Sequence, residues 1–298
     1  MRTLPWTLLL IAAMAGIAAL YPITKSLGGS VSPLLVAFFR FSIAAIVLLP
    51  VMFYMRRHLV PKSRDLPLLL FVSACIATPT ALIVIGIAHT NSVVAAILIN
   101  TNPLMIGLFS PVLISEEVHG TSKLALAVGF LGVMLVVLNG HSPITLLNSY
   151  YAWGALLLLL AALASALNKI YSKRLVRAYD GLSVTFFSTI IGAVLLGIGI
   201  SLTGGFSDVL RFNLREIISL IAIGIVCTAI PWVVWSSSLK RLDVHVAASF
   251  QLLIPIFAAF YSLLFLSESF TLWMMLGLIL TSAGIYVVQR RETIVANM

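Results

Sequence analysis

Ten stretches of predominantly apolar residues follow one another along the chain and leave little else of it. They are bounded by charge, Gly or Pro near 5–25, 32–55, 66–88, 91–114, 122–139, 150–171, 182–203, 216–239, 244–266 and 271–289. Roughly 20 apolar residues cover the ~30 Å hydrocarbon layer of a bilayer at about 1.5 Å per residue, so each stretch reads as a membrane helix. No connecting segment is long enough for a soluble domain. Charged residues are 9% of the 298 and apolar ones 61%, whereas soluble domains have about 25% charged and 45–50% apolar residues. This balance excludes a water-soluble enzyme, a nucleic-acid-binding module and a disordered chain. Cys75 and Cys227 both lie in apolar runs and cannot make a disulfide framework. Arg2, the apolar run after it and Ala13-Met14-Ala15 imitate a signal peptide. An internal repeat, described below, gives that segment a counterpart and assigns it to the fold.

Charge placement checks the count. With ten spans both termini share a side, and 14 of the 18 Lys and Arg fall on it, from Arg2 through the 56–64 and 169–177 clusters to Arg290 and Arg291. Lys25, Arg211 and Arg215 are the three on the other side, and Arg40 lies inside a span. The excess of basic residues places both termini in the cytoplasm.

The repeat is visible at a shift of 152 residues. Cys75–Pro79 falls on Cys227–Pro231, Val94-Ala95-Ala96 on Val246-Ala247-Ala248, Pro103 on Pro255, Ser115-Glu116 on Ser267-Glu268, and Gly132 on Gly284. The start of each half aligns at 148, with Lys25 on Lys173 and Phe38-Phe39 on Phe186-Phe187. The expected domains are therefore residues 1–140 and 150–291, five helices each. An odd-numbered repeat enters the membrane the second time upside down. The predicted fold is all-α integral membrane, ten transmembrane helices as two inverted five-helix repeats, an arrangement that places a substrate site near the midplane between halves.

Pro103 to Glu116 followed by Gly132, and Pro255 to Glu268, resemble the drug/metabolite transporter superfamily, in particular its EamA-type ten-helix branch. That branch carries a helix with Pro, an apolar run and a terminal Glu in each half, and tends to place an Arg in its second helix, matched by Arg40. The second half has no Arg at the corresponding place. The resemblance covers the whole chain. It implies export of small metabolites, often amino acids, through a central cavity lined by spans 1, 3, 4, 6, 8 and 9.

Candidate functional residues come from prolines and polar groups at membrane depth. Pro79, Pro103, Pro231 and Pro255 are expected near the middle of spans 3, 4, 8 and 9. Each removes a backbone donor and can act as a hinge, or is simply tolerated as prolines often are in membrane helices. Thr80, Asn100, Asn102 and Gln251 should face the interior, because unpaired amides are costly in hydrocarbon. They either contact substrate or join helices, the latter at about 0.6–2 kcal/mol per bond. Trp232 and Trp235 are three residues apart and so share a face, suiting an apolar or aromatic substrate or ordinary packing. Arg40 is expensive inside a bilayer. It serves substrate or gating, or reaches out to the interface. Lys25 and Lys169 read as rim charges, and Glu116 and Glu268 as caps or pairs at helix ends.

None of the nine acids lies near a span centre, which disfavours a permanently cationic substrate and a carboxylate-based proton antiport. The expectation is an inner-membrane exporter of small zwitterionic or neutral metabolites, amino acids foremost, working by alternating access. Multidrug, nucleoside or sugar efflux on the same fold is the alternative. No nucleophile elbow, zinc motif or phosphate loop is present, so neither an enzyme, a primary pump nor a cofactor is expected. The partners are the small-molecule substrate and the lipid bilayer, without nucleic acid. Ten helices suffice for a monomer.

Overall fold

The computed structural model describes residues 4–27, 30–55, 62–114, 120–140, 150–179, 181–202, 205–238 and 250–296. Among these residues all regular structure is helical. In chain order the helices are α1 (Leu4–Ala18), α2 (Leu20–Ser26), α3 (Pro33–Tyr54), α4 (Leu66–His89), α5 (Ser92–Ile99), α6 (Asn102–Ile114) and α7 (Gly120–Leu138). They continue with α8 (Tyr150–Tyr179), α9 (Gly181–Leu202), α10 (Leu214–Gly224), α11 (Ile230–Ser238), α12 (Leu253–Phe265) and α13 (Leu272–Ala296). Each expected span holds helix. Six are long and apolar enough to cross a membrane, while Ser92–Ile106, Leu124–Leu138, Phe250–Phe265 and Leu272–Val287 are shorter apolar pieces.

Local chemistry sets the helix starts. Ser32 caps α3, its hydroxyl accepting from the Leu35 amide at 3.3 Å with Pro33 in the first turn, where a missing N–H costs nothing. Asn213 and Glu216 form a reciprocal capping box on α10. Helix α8 runs on to Tyr179, beyond the expected end at 171, because the Lys- and Arg-rich segment after Ile170 favours helix.

Three spans are not single helices. The first is divided by a turn at Ala19 between α1 and α2, through which helical hydrogen bonds continue, and the fourth breaks at Asn100-Thr101 between α5 and α6. The eighth widens into a π turn over Ile225–Ala229, between α10 and α11. That π turn lies immediately before Pro231, whose ring would crowd the carbonyl four residues back in a regular helix. The extra residue per turn relieves the crowding. Pro103 and Pro255, expected mid-helix, instead sit in the first turns of α6 and α12.

Helix α4 lies along α8, and α7 along α13; α3 packs on α9 and α10, α1 on α11 and α12, and α5 on α12. Glycines permit the closest approaches. A Cβ at Gly132 would lie 2.5 Å from the Thr281 amide nitrogen and 2.7 Å from the Gly277 carbonyl, and one at Gly284 2.6 Å from the Ala125 carbonyl. Small residues at such spacing let two membrane helices meet backbone to backbone. Leucine and isoleucine side chains such as Ile46, Leu124 and Ile198 point outward, as expected of a lipid-facing surface.

Side chains tie some of the described helix ends together. The His89 and Tyr150 rings stack at 6.1 Å, and the Thr271 hydroxyl meets the Asn139 carboxamide. The Tyr179 hydroxyl donates to Asp65 Oδ2 at 2.7 Å and accepts from the Lys62 amide.

Candidate functional site

The predicted site residues are distributed over several positions in the bundle. Arg40, on α3, is buried and does not reach outward. Its Nε donates to Thr228 Oγ1 at 2.9 Å, and the Thr228 hydroxyl in turn donates to the Ile223 carbonyl five residues back, across the π turn. Arg40 Nη1 has no hydrogen-bond partner among the described residues. One arginine thus ties α3 to the irregular turn ahead of Pro231. Gly16 seats α1 against that same turn, since a Cβ there would lie 2.7 Å from the Val226 carbonyl.

The break between α5 and α6 holds the second polar set. Asn100 and Asn102 are each 8% exposed. Asn102 Nδ2 donates to the Ile99 carbonyl at 3.3 Å, and its Oδ1 accepts from Lys169 Nζ at 2.7 Å. Asn100 Nδ2 is buried without an acceptor among the described residues. Beside Lys169 on α8, Asn168 Nδ2 donates to the Val72 carbonyl at 2.8 Å and fastens α8 to α4. Lys169 therefore reaches inward from an exposed position on α8 to α6, a contact that sequence reasoning missed. A signal was present: Ser165, Asn168, Lys169 and Ser172 recur at the spacing of one helix face.

The other candidates stand apart. Thr80 is buried on α4, its hydroxyl donating to the Ile76 carbonyl at 2.8 Å. Trp232 packs on Phe41, ring centroids 6.3 Å apart. Trp235 joins a different cluster, with Leu10, Met14 and Ile254. The expected common face is not used jointly, because α11 is wedged between neighbours that take one indole each. Gln251 is half-buried in the single turn Phe250–Leu252. Pro79 is buried within an unbroken α4, and Pro231 and Pro255 are buried too. Only the backbone position of Pro103, in α6, belongs to the described geometry. Glu116, the triplet at 246–248 and the side chain of Lys173 lie outside the described residues.

A third polar cluster closes the corner between α4 and α5. Lys25 Nζ donates to the Ile87 carbonyl at 3.0 Å and to that of Thr90, holding the last carbonyls of α4. Glu268 accepts from the Ser92 amide at 3.0 and 3.2 Å, holding the first turn of α5. Each charge sits at the helix end whose dipole it complements. Ser267, beside it, adopts φ 54°, a left-handed conformation uncommon for a residue with a side chain. Burial pushes the Glu268 carboxyl above the usual carboxylate range, against the opposing pull of the Ser92 amide and Lys25. Next to Lys25 a cleft of about 210 Å³ is lined by Thr24, Val31, Val36 and Val84. Among the described residues no group of His, Cys, Asp and Glu could hold a metal ion.

Taken together, the interior is apolar, with a few polar side chains at helix irregularities and no set of acid, base and nucleophile in mutual contact among those described. Comparison with known proteins agrees with a transport role. A model of the EamA-like transporter family matches residues 4–138 and again residues 152–290. An "Uncharacterized transporter" of Archaeoglobus fulgidus is 25% identical over 261 residues, covering 87% of this chain and 89% of that one. A "Probable terminal-alkyne amino-acid exporter" of Streptantibioticus cattleyicolor is 27% identical over 234 residues, 78% of this chain and 75% of its own. A solved crystal structure covers 95% of this chain and 96% of its own with a TM-score of 0.64 at 19% identity, a likeness of fold. The chain belongs to the EamA-like transporter family, within the drug/metabolite transporter superfamily. It is a multi-pass membrane transporter of small molecules and not an enzyme.

Proposed function

We propose that this family member exports small zwitterionic or neutral metabolites, amino acids foremost, across the inner (plasma) membrane by alternating access. In this reading residues 1–140 and 150–291 are two five-helix repeats of opposite orientation, both termini are cytoplasmic, and the protein works as a monomer. The observation that carries it is the pairing of equivalent helices. Helix α3 meets α9, α5 meets α12 and α7 meets α13, each pair joining the same position of the two halves. The Thr281 hydroxyl reaches the Gly129 carbonyl at 3.5 Å across 152 residues, the interval of the repeat. Two similar halves packed about such an axis have two packings of similar energy, which is what exchange between outward- and inward-open states needs.

Substrate binds between the halves, near Arg40, Thr80, Asn100, Asn102, Trp232, Trp235 and Gln251. Pro79, Pro103, Pro231 and Pro255 supply points where the helices bend. The π turn before Pro231 and the α5–α6 break beside Pro103 support that role, because irregular backbone at membrane depth is tolerated where it lines a cavity or is packed in protein. The amino-acid preference is supported by the exporter relative and by the lack of acids near span centres. Counterflow of labelled metabolites in proteoliposomes tests the reading. Exchange of one or more amino acids above protein-free vesicles is expected; exchange of nucleosides, sugars or hydrophobic drugs alone refutes it.

A further inference from the structure

Lys169 presents a problem of charge. Its side chain keeps accessible surface while its ammonium reaches a buried amide on α6, and a charge at that depth faces a polar cavity rather than lipid. Its hydrogen bond goes to a neutral amide, Asn102 Oδ1. No acid in the sequence lies near the centre of a span, and the acids held within described polar clusters have other partners. Asp65 accepts from Tyr179, Glu216 caps α10 and Glu268 caps α5. An ammonium at membrane depth without a carboxylate is costly. Protein structures pair such a charge or put it to use. Two residues from Asn102, at the same helix break, Asn100 Nδ2 is a second donor without an acceptor among the described residues.

We infer that Lys169 is the receptor for a carboxylate on the transported molecule, with Asn102 positioning its ammonium in that cavity. The inference rests on the exporter reading and narrows its substrate class from zwitterionic or neutral compounds to those bearing a carboxylate. The geometry suits this. One bond from Asn102 occupies one of three ammonium protons and orients the group, leaving two free for a bound anion. The break between α5 and α6 lets Asn102 leave its own helix ladder and turn toward α8. A substrate carboxylate pairs with the Lys169 ammonium only while bound, so the empty carrier holds an unpaired ammonium and the loaded one does not.

The test uses the full-length protein in proteoliposomes and a panel of the L-amino acids, the carboxamide of each, and inorganic phosphate. For the wild type, amino acids should exchange roughly ten- to a hundred-fold better than their carboxamides, the worth of one hydrogen bond to a charged group. Lys169→Gln should bring that ratio close to one, and Lys169→Arg should retain part of it. Asn102→Asp supplies an internal counter-ion, so it should fold and still lose the preference; this arm stands even if Lys169→Gln misfolds. Direct binding of a labelled amino acid in detergent should show the same ratios without any transport step. A ratio unchanged in Lys169→Gln and Asn102→Asp overturns the inference and leaves the exporter reading intact. Exchange of phosphate in preference to carboxylates also overturns it. If the wild type exchanges no member of the panel, both readings fall.

Discussion

The seam between α7 and α13 permits a worked prediction. A methyl group placed on Gly132 would lie 2.5 Å from the Thr281 amide nitrogen and 2.7 Å from the Gly277 carbonyl. Ordinary carbon contacts need about 3.5 Å, so the methyl is roughly 1 Å too close. The Thr281 hydroxyl, also 2.5 Å away, could rotate, but the other two neighbours are backbone and cannot swing aside, so the two helices must part by about that amount. A gap of ~0.5–1 Å forfeits a quarter to a half of each dispersion contact. A seam with the contacts of one buried leucine, about 40–60 atom pairs at ~0.1–0.2 kcal/mol, then loses on the order of 1–6 kcal/mol. Gly199→Ala is the control. Nothing lies within 4 Å of its Cβ, and alanine should stabilise that helix interior by about 0.5–1 kcal/mol. Unfolding of the purified protein by SDS titration in mixed micelles reads both. Equal midpoints for Gly132→Ala and Gly199→Ala would refute the claim that backbone contact at this seam holds the bundle.

Further outcomes follow from the other clusters. Thr228→Val removes the acceptor for Arg40 Nε and should destabilise by about 2–3 kcal/mol, whereas Thr228→Ser should be nearly neutral; the same titration compares them, and equal midpoints contradict the tie between α3 and the π turn. The Glu268 carboxyl is held above the usual range, so the folded protein keeps a proton that the unfolded chain releases. Stability should therefore fall as pH rises from 4.5 through the raised value, and Glu268→Gln should remove that slope from melting curves. Trp232→Ala or Asn102→Ala should weaken transport while leaving insertion intact, and unchanged uptake in both removes them from the site. Transport should persist when a proton gradient is collapsed at fixed substrate gradient; its abolition argues for proton coupling.

Much of the architecture could be read in hydropathy, because a bilayer core accepts little but apolar helix. Each of the ten expected stretches holds helix, six of them long and apolar enough to cross a membrane, and Arg40 and the Asn100–Asn102 segment stood out as polar groups in apolar stretches. What escaped depends on distance along the chain or on local irregularity. Lys25 finds the end of α4 some 62 residues away, and Glu268 the start of α5 across 176; no periodicity connects them. The π turn before Pro231 and the regular helix around Pro79 share one motif. They differ in sequence where Ile76 stands at the place of Thr228, the residue that Arg40 meets. Lys169 looked like a rim charge because its distance from the span end was judged without knowing that α6 lies alongside.

The central claim is that two five-helix halves enter the membrane in opposite senses. Single cysteines at Ser63 and Ser207, in a background lacking Cys75 and Cys227, test it directly with a membrane-impermeant thiol reagent on intact cells and on inverted vesicles. The account predicts labelling of Ser207→Cys from outside only and of Ser63→Cys from inside only, with tags on both termini accessible only from the cytoplasm. Labelling of both cysteines from the same face, or termini on different faces, would contradict it.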